Sequence, residues 1–128
     1  MILVESWKLV VTERFAKFDG RAGRAEFWWF ALANLVAYAV LLILMGIGFA
    51  IADGLGLILG VLVVIYIAAV IIPSLALAIR RLHDTDKSGW WLLISLIPFG
   101  GIVLLVFYLL EGTPGPNKFG PAAEPDAT

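Results

Sequence analysis

The sequence contains no cysteine and a single histidine. The first absence excludes disulfides, thiol catalysis and thiolate metal sites. The second leaves His83 a poor start for a metal centre, which needs several converging ligands. Charge is scarce as well: charged residues make up 15% of the 128-residue chain, against roughly 25% in ordinary globular domains. The formal net charge of −1 offers no global attraction to nucleic acid. With 62% hydrophobic residues, a chain of this size lacks the polar surface to enclose a soluble core. It is long enough for one domain.

What the chain does have is long runs without formal charge. They extend from Phe27 to Ala52, from Gly54 to Ile79 and from Ser88 to Leu110. A helix needs about 20 apolar residues to cross a hydrocarbon core of ~30 Å. Each run is long enough to cross once, and none is long enough to cross twice. The runs do not alternate apolar and polar residues as barrel strands do. The expected fold is an all-α membrane protein with three transmembrane helices, at about 27–52, 55–79 and 89–110. Residues 1–120 form the single domain, and 121–128 read as a disordered tail. The first 26 residues are broken by charges and form no signal-peptide apolar region. Val4, Trp7, Val11, Phe15 and Phe18 recur at spacings of three and four, which predicts an amphipathic interfacial helix over 3–18.

Lysine and arginine set the expected orientation. Lys8, Arg14, Lys17, Arg21 and Arg24 precede the first run, and Arg80, Arg81 and Lys87 lie between the second and third. The positive-inside rule places the N-terminus and this second connection in the cytoplasm, with Asp53 and the C-terminal tail outside. Trp28, Trp29, Trp90 and Trp91 then mark the cytoplasmic entries of two spans, with Trp7 on the interfacial helix.

Polarity concentrates at RRLHDTDKSGWW, residues 80–91. Arg80, Arg81 and His83 suit the negative end of the second helix; Asp84, Asp86 and an N-cap from Ser88 suit the start of the third. A second cluster, FDGRAGRAEFWWF at 18–30, brings Arg21, Arg24 and Glu26 to the same membrane face. Half-buried charges need partners. These residues and Lys87 therefore read as a cytoplasmic polar plate, with Glu26 paired to Arg80 or Arg81. The same cations could contact anionic headgroups, cardiolipin among them.

Four quoted stretches carry a resemblance: FDGRAGRAEFWWF (18–30), P-x-x-x-L-A-x-RRLHDTDKSGWW (73–91), IPFGG (97–101) and EGTPGPNKFG (111–120). In this order, the chain resembles the domain of unknown function 805 family of small bacterial inner-membrane proteins. The resemblance covers residues 15–121. It implies an inner-membrane location and a common fold, and it implies no reaction.

Within the spans there is no ionisable residue at depth, where a transporter or pump usually carries one. Asn34, Ser74 and Ser95 read as interhelical hydrogen-bonding groups. Gly46-x-x-x-Ala50 and Gly56-x-x-x-Gly60 permit close helix packing. Pro73 is expected to kink the second helix, and Pro98 with Gly100 and Gly101 to break the third. No nucleophile–base pair, metal set, cofactor site or phosphate loop is recognisable, and the lone His83-Asp84 doublet lacks further ligands. The expectation is a non-catalytic membrane protein that works by protein or lipid contact. It would be an accessory or assembly subunit of a larger complex, or a homo-oligomer. The alternative is a small transporter or stress-response membrane protein built on the broken third helix.

Overall fold

In lipid every backbone N–H and C=O must be satisfied internally, so apolar runs of this length fold as helices. In a computed structural model, which describes residues 2–123, two of them do so over their full extent. Helix α1 is Ile2–Val11, α2 is Arg24–Ile51 and α3 is Asp53–Asp84. At 1.5 Å per residue α2 and α3 measure ~42 and ~48 Å, enough to cross a ~30 Å core and reach beyond it. They form an antiparallel hairpin around one extended residue, Ala52. Asp53 in the first turn of α3 faces the positive end of its dipole. The helices touch closely beyond the turn, where a Cβ on Gly56 would lie 2.2 Å from the Phe49 ring. Gly48, not Gly46 or Ala50, provides the facing surface; Gly46 and Ala50 point out of the protein, and Gly60 lies beside Met45. Helix α3 runs unbroken through Pro73.

The third expected span is absent: among the described residues two helices, not three, are long and apolar enough to cross a membrane. Residues 89–110 instead fold as two short arms. A 3-10 helix, Gly89–Leu96, leads away from the end of α3, and α4, Gly100–Leu109, leads back. The arms measure ~16 and ~15 Å, half of what a crossing needs. Ile97-Pro98-Phe99 makes the reversal. Ile97 is held extended, as residues before proline prefer. Phe99 adopts a left-handed conformation, φ 68°. Gly100 then passes so close to Ile94 that a Cβ would sit 1.5 Å from its carbonyl oxygen. The open end is pinned by Trp91 edge-on to Phe107, centroids 5.4 Å apart, and by Lys87 Nζ 4.6 Å from the Phe107 centroid. The break expected at Pro98 is a reversal of the chain, whereas Pro73 does not interrupt α3. A count of charge-free residues cannot distinguish a crossing from a re-entrant hairpin.

Phe107, Tyr108 and the tail lie at the end of the molecule that holds Arg21 and Arg81, whereas three spans would have carried the tail to the opposite end. Of the tail expected to be disordered, 121–128, residues 124–128 lie outside the described residues.

Helix α1 is also shorter than the expected 3–18. It ends at Val11, after a β-branched pair that favours helix weakly, and the Thr12 hydroxyl bonds the Lys8 carbonyl at 2.5 Å. Phe15 and Phe18 lie outside the helix. Val10 is fully buried with Ala22, Phe30 and Leu77. Trp7 Nε1 donates to the Tyr66 hydroxyl at 3.0 Å, which donates to Asn34 Oδ1 at 2.7 Å. Leu3 and Val4 share a hollow with Val36 and Ala37. Helix α1 therefore runs along the hairpin, its N-terminal end reaching a level ~18 Å from Arg24.

Two tests follow from this layout. In the cysteine-free chain, single Asp19→Cys, Pro114→Cys and Asp53→Cys variants report sidedness to a membrane-impermeant thiol reagent. Positions 19 and 114 are expected to label from one side and 53 from the other; labelling of 114 together with 53 would restore a third crossing. Gly56→Leu is expected to overpack the hairpin and cost about 1–3 kcal/mol, read as earlier unfolding in detergent.

Candidate functional site

The largest fully buried side chains in this greasy molecule are two arginines, Arg80 and Arg81. They occupy the last turns of α3, with Asp84 one turn on. Segment 17–26 wraps this end of α3: Ala22 N–H donates to the Arg80 carbonyl at 3.0 Å. The wrap carries Arg21 and Glu26 inward.

Each buried carboxylate binds two guanidinium groups. Glu26 accepts from Arg80 Nη1 at 2.8 Å and from Arg14 Nη1 at 2.6 Å. Asp84 accepts from Arg81 Nη1 at 2.7 Å and from Arg21 Nε at 3.0 Å. Among the described residues, Arg14 and Arg80 meet at Glu26, and Arg21 and Arg81 meet at Asp84. Backbone carbonyls accept from further guanidinium donors. Arg80 Nε donates to Lys17 O at 3.0 Å. Arg81 donates to Tyr108 O at 3.1 Å and to Leu110 O, at the negative C-terminal end of α4. Arg21 donates to Thr113 O at 2.5 Å and Gly115 O at 2.6 Å. Arg80 Nη2 is buried with no partner among the described residues. That costs about 1–3 kcal/mol, which the other bonds of the same guanidinium offset.

The tail is part of the same construction. Asn117 Nδ2 caps α3 by donating to the His83 carbonyl at 2.9 Å, and Thr113 N–H donates to Asp84 O at 2.7 Å. The Phe119 ring stacks on His83, centroids 4.0 Å apart and planes within 5°. His83 Nδ1 lies 2.9 Å from Gly20 O, so that nitrogen carries the proton and donates. Gly112 lies against Asp84 with no room for a side chain.

The structure thus brings together Arg21, Glu26, Arg80, Arg81, His83 and Asp84. Three other residues expected in the polar plate stay at its edge. Arg24 is exposed and reaches Leu109 O at 3.4 Å, Asp86 is exposed in a left-handed turn, and Lys87 lies over Phe107. Trp28 Nε1 donates to Tyr108 O at 3.2 Å, Trp90 points outwards and Trp91 packs against Phe107. Sequence reasoning missed Arg14, whose distance from Glu26 only the turn after α1 closes. It also missed Thr113, Asn117 and Phe119. Their signal lies in the tail motif, but an odd number of crossings assigns that motif to the wrong face.

Chemically the arrangement is a clamp. Guanidinium groups hold the carboxylate oxygens, and among the described residues no three His, Asp or Glu side chains gather as a metal set. A lateral groove of about 340 Å³ touches Asn34 and Ser74, but Phe27, Phe30, Leu35 and Leu77 dominate its walls and Tyr66 occupies the Asn34 oxygen.

Residues 15–121 match the model of the family described as protein of unknown function (DUF805). Two curated relatives are similar over nearly their whole length. Inner membrane protein YhaI of Escherichia coli (strain K12) is 46% identical over 115 residues, 89% of this chain and 92% of the relative. Inner membrane protein YhaH of the same strain is 44% identical over 117 residues, 90% and 93%. No solved structure matches.

Removing a charge from the clamp orphans its partners. Asp84→Asn is expected to destabilise the protein by about 3–5 kcal/mol, the cost of breaking a buried ion pair, seen as loss of folded protein in detergent. A Glu26→Gln and Arg80→Gln double-mutant cycle is expected to show coupling. Additive effects would mean that the 2.8 Å pair contributes nothing.

Proposed function

The chain belongs to the DUF805 family of small bacterial inner-membrane proteins, and from that premise we propose that it acts by contact, without catalysis, as an accessory or assembly subunit of a larger membrane complex. One observation carries the reading: the polar chemistry is turned inward and the apolar surface outward. The arginines and carboxylates are consumed in tying the chain's own segments together. Meanwhile only 11% and 17% of the most apolar windows of α2 and α3 are buried within the chain. In a membrane such surfaces meet lipid or other helices, and association there runs on close packing.

The orientation that fits is N-terminal segment and tail both cytoplasmic. None of the nine lysines and arginines lies at the Asp53 end of the hairpin, and the positive-inside rule supports placing the clamp inside. Arg21, Arg80 and Arg81 are already engaged. Contact with anionic lipid, cardiolipin included, falls instead to the exposed Lys17, Arg24 and Lys118.

The test is extraction of native membranes in a gentle detergent, sizing of the intact assembly and identification of its proteins. Stoichiometric co-migration with a large complex is the expected result. A chain that runs alone sinks the accessory reading and turns attention to solutes at the Asn34–Ser74 groove, as a transporter would require.

A further inference from the structure

We propose that the protein is a wedge in the plane of the bilayer, whose preferred partner is a lipid surface curved so that the leaflet holding the arginine clamp is convex. Five segments share that half of the molecule: α1, α2, α3, the 3-10 arm and α4. Leu3 and Val4 of helix α1 meet α2 at Val36 and Ala37. The re-entrant arms end at Phe99, about half-way across a ~30 Å core. Beyond that level, among the described residues, only α2 and α3 continue, drawn together at the Gly48–Gly56 approach.

Burial records the same taper independently. On α2 the buried positions are Glu26, Phe30 and Ala33, followed by nothing until Gly48. On α3 six of the ten buried positions fall within Ala76–Asp84. At the clamp end α1, α2 and α3 pack together with the 3-10 arm lying alongside, its own residues unburied, and the distal half is a bare hairpin.

A helix with its side chains is about 10 Å across and displaces roughly 80 Å² of leaflet. Five segments against two then give a difference of roughly 240 Å² between the leaflets. A flat bilayer must thin or splay its lipids on the narrow side to cover that difference. A bilayer already bent with the clamp leaflet outermost has the extra area to give. One-sided insertion makes interfacial helices sensitive to curvature for the same reason. Here the asymmetry belongs to a protein that also spans the membrane, so it is permanent and directional. The inference needs only the membrane location and stands or falls apart from the accessory-subunit reading.

The experiment uses the full-length chain reconstituted into small and large vesicles of one lipid composition. Orientation is read with an impermeant thiol reagent on a Pro114→Cys variant, and by protease access to the unmodified tail as a second measure. Molecules with the tail outward are expected to be enriched about twofold or more per lipid in the small vesicles, and molecules with the tail inward depleted there. Equal density and equal orientation in both sizes would overturn the wedge. A second copy or another partner that fills the space beside the distal hairpin gives that flat result, and counts against the proposal likewise.

Discussion

Everything in the inner half of this molecule depends on keeping the guanidinium groups of Arg21, Arg80 and Arg81 satisfied away from bulk water. Arginine cannot shed its proton to escape burial, so charge and geometry must be met by partners. Glu26 and Asp84 supply part of the compensation. The carbonyls of the wrap, the end of α4 and the tail supply more. Moving a charged group into the hydrocarbon is costly, and that cost makes the clamp specific: a segment that strays leaves charged donors without acceptors. The clamp thereby recruits three parts of the chain with little apolar reason to meet, namely the 17–26 wrap, the re-entrant hairpin and the tail.

The distribution of chemistry inverts that of a soluble domain, in which apolar side chains fill the interior. Here the largest fully buried side chains are Arg80 and Arg81, while Leu35, Ile51 and Leu57 face out at 65%, 70% and 62% exposure. The hydrophobic effect places the protein in the bilayer, but it does not choose among arrangements within it, because lipid tails are as apolar as leucine. Hydrogen bonds and ion pairs make that choice. So does steric room, at Gly56 and Gly100.

How much of this is legible in the amino-acid sequence follows from that division. Apolar length fixes where α2 and α3 lie, and 27–52 and 55–79 sit within them, apart from the junction residue Ala52. The charges of 18–30 and 80–91 sit at one face because an antiparallel hairpin brings its two open ends together. Local backbone geometry is harder to read. Ile97-Pro98-Phe99-Gly100 is visible as an interruption, yet whether an interrupted helix continues or reverses depends on a left-handed Phe99 and a glycine that can touch the Ile94 carbonyl. That one decision carries the position of the tail with it, and so hides Asn117 and Phe119 from the site. The reach of α1 along the hairpin is hidden for a different reason. It rests on the Trp7–Tyr66–Asn34 hydrogen bonds, a three-body contact that no periodicity announces.

The dependence of Arg81 on late segments has a consequence for synthesis. Chains emerge N-terminus first. Arg21 and Asp84 can meet as soon as α3 has been made, but the carbonyls that complete Arg81 belong to Tyr108 and Leu110, 27 and 29 residues farther on. Until those residues leave the ribosome, the arginine must stay hydrated at the membrane surface. The two-helix hairpin is therefore threaded across the bilayer with its charged end still open, and the final stretch of polypeptide seals it. A ribosome stalled a few codons short would leave an inserted protein whose most buried cation is still waiting for its oxygens.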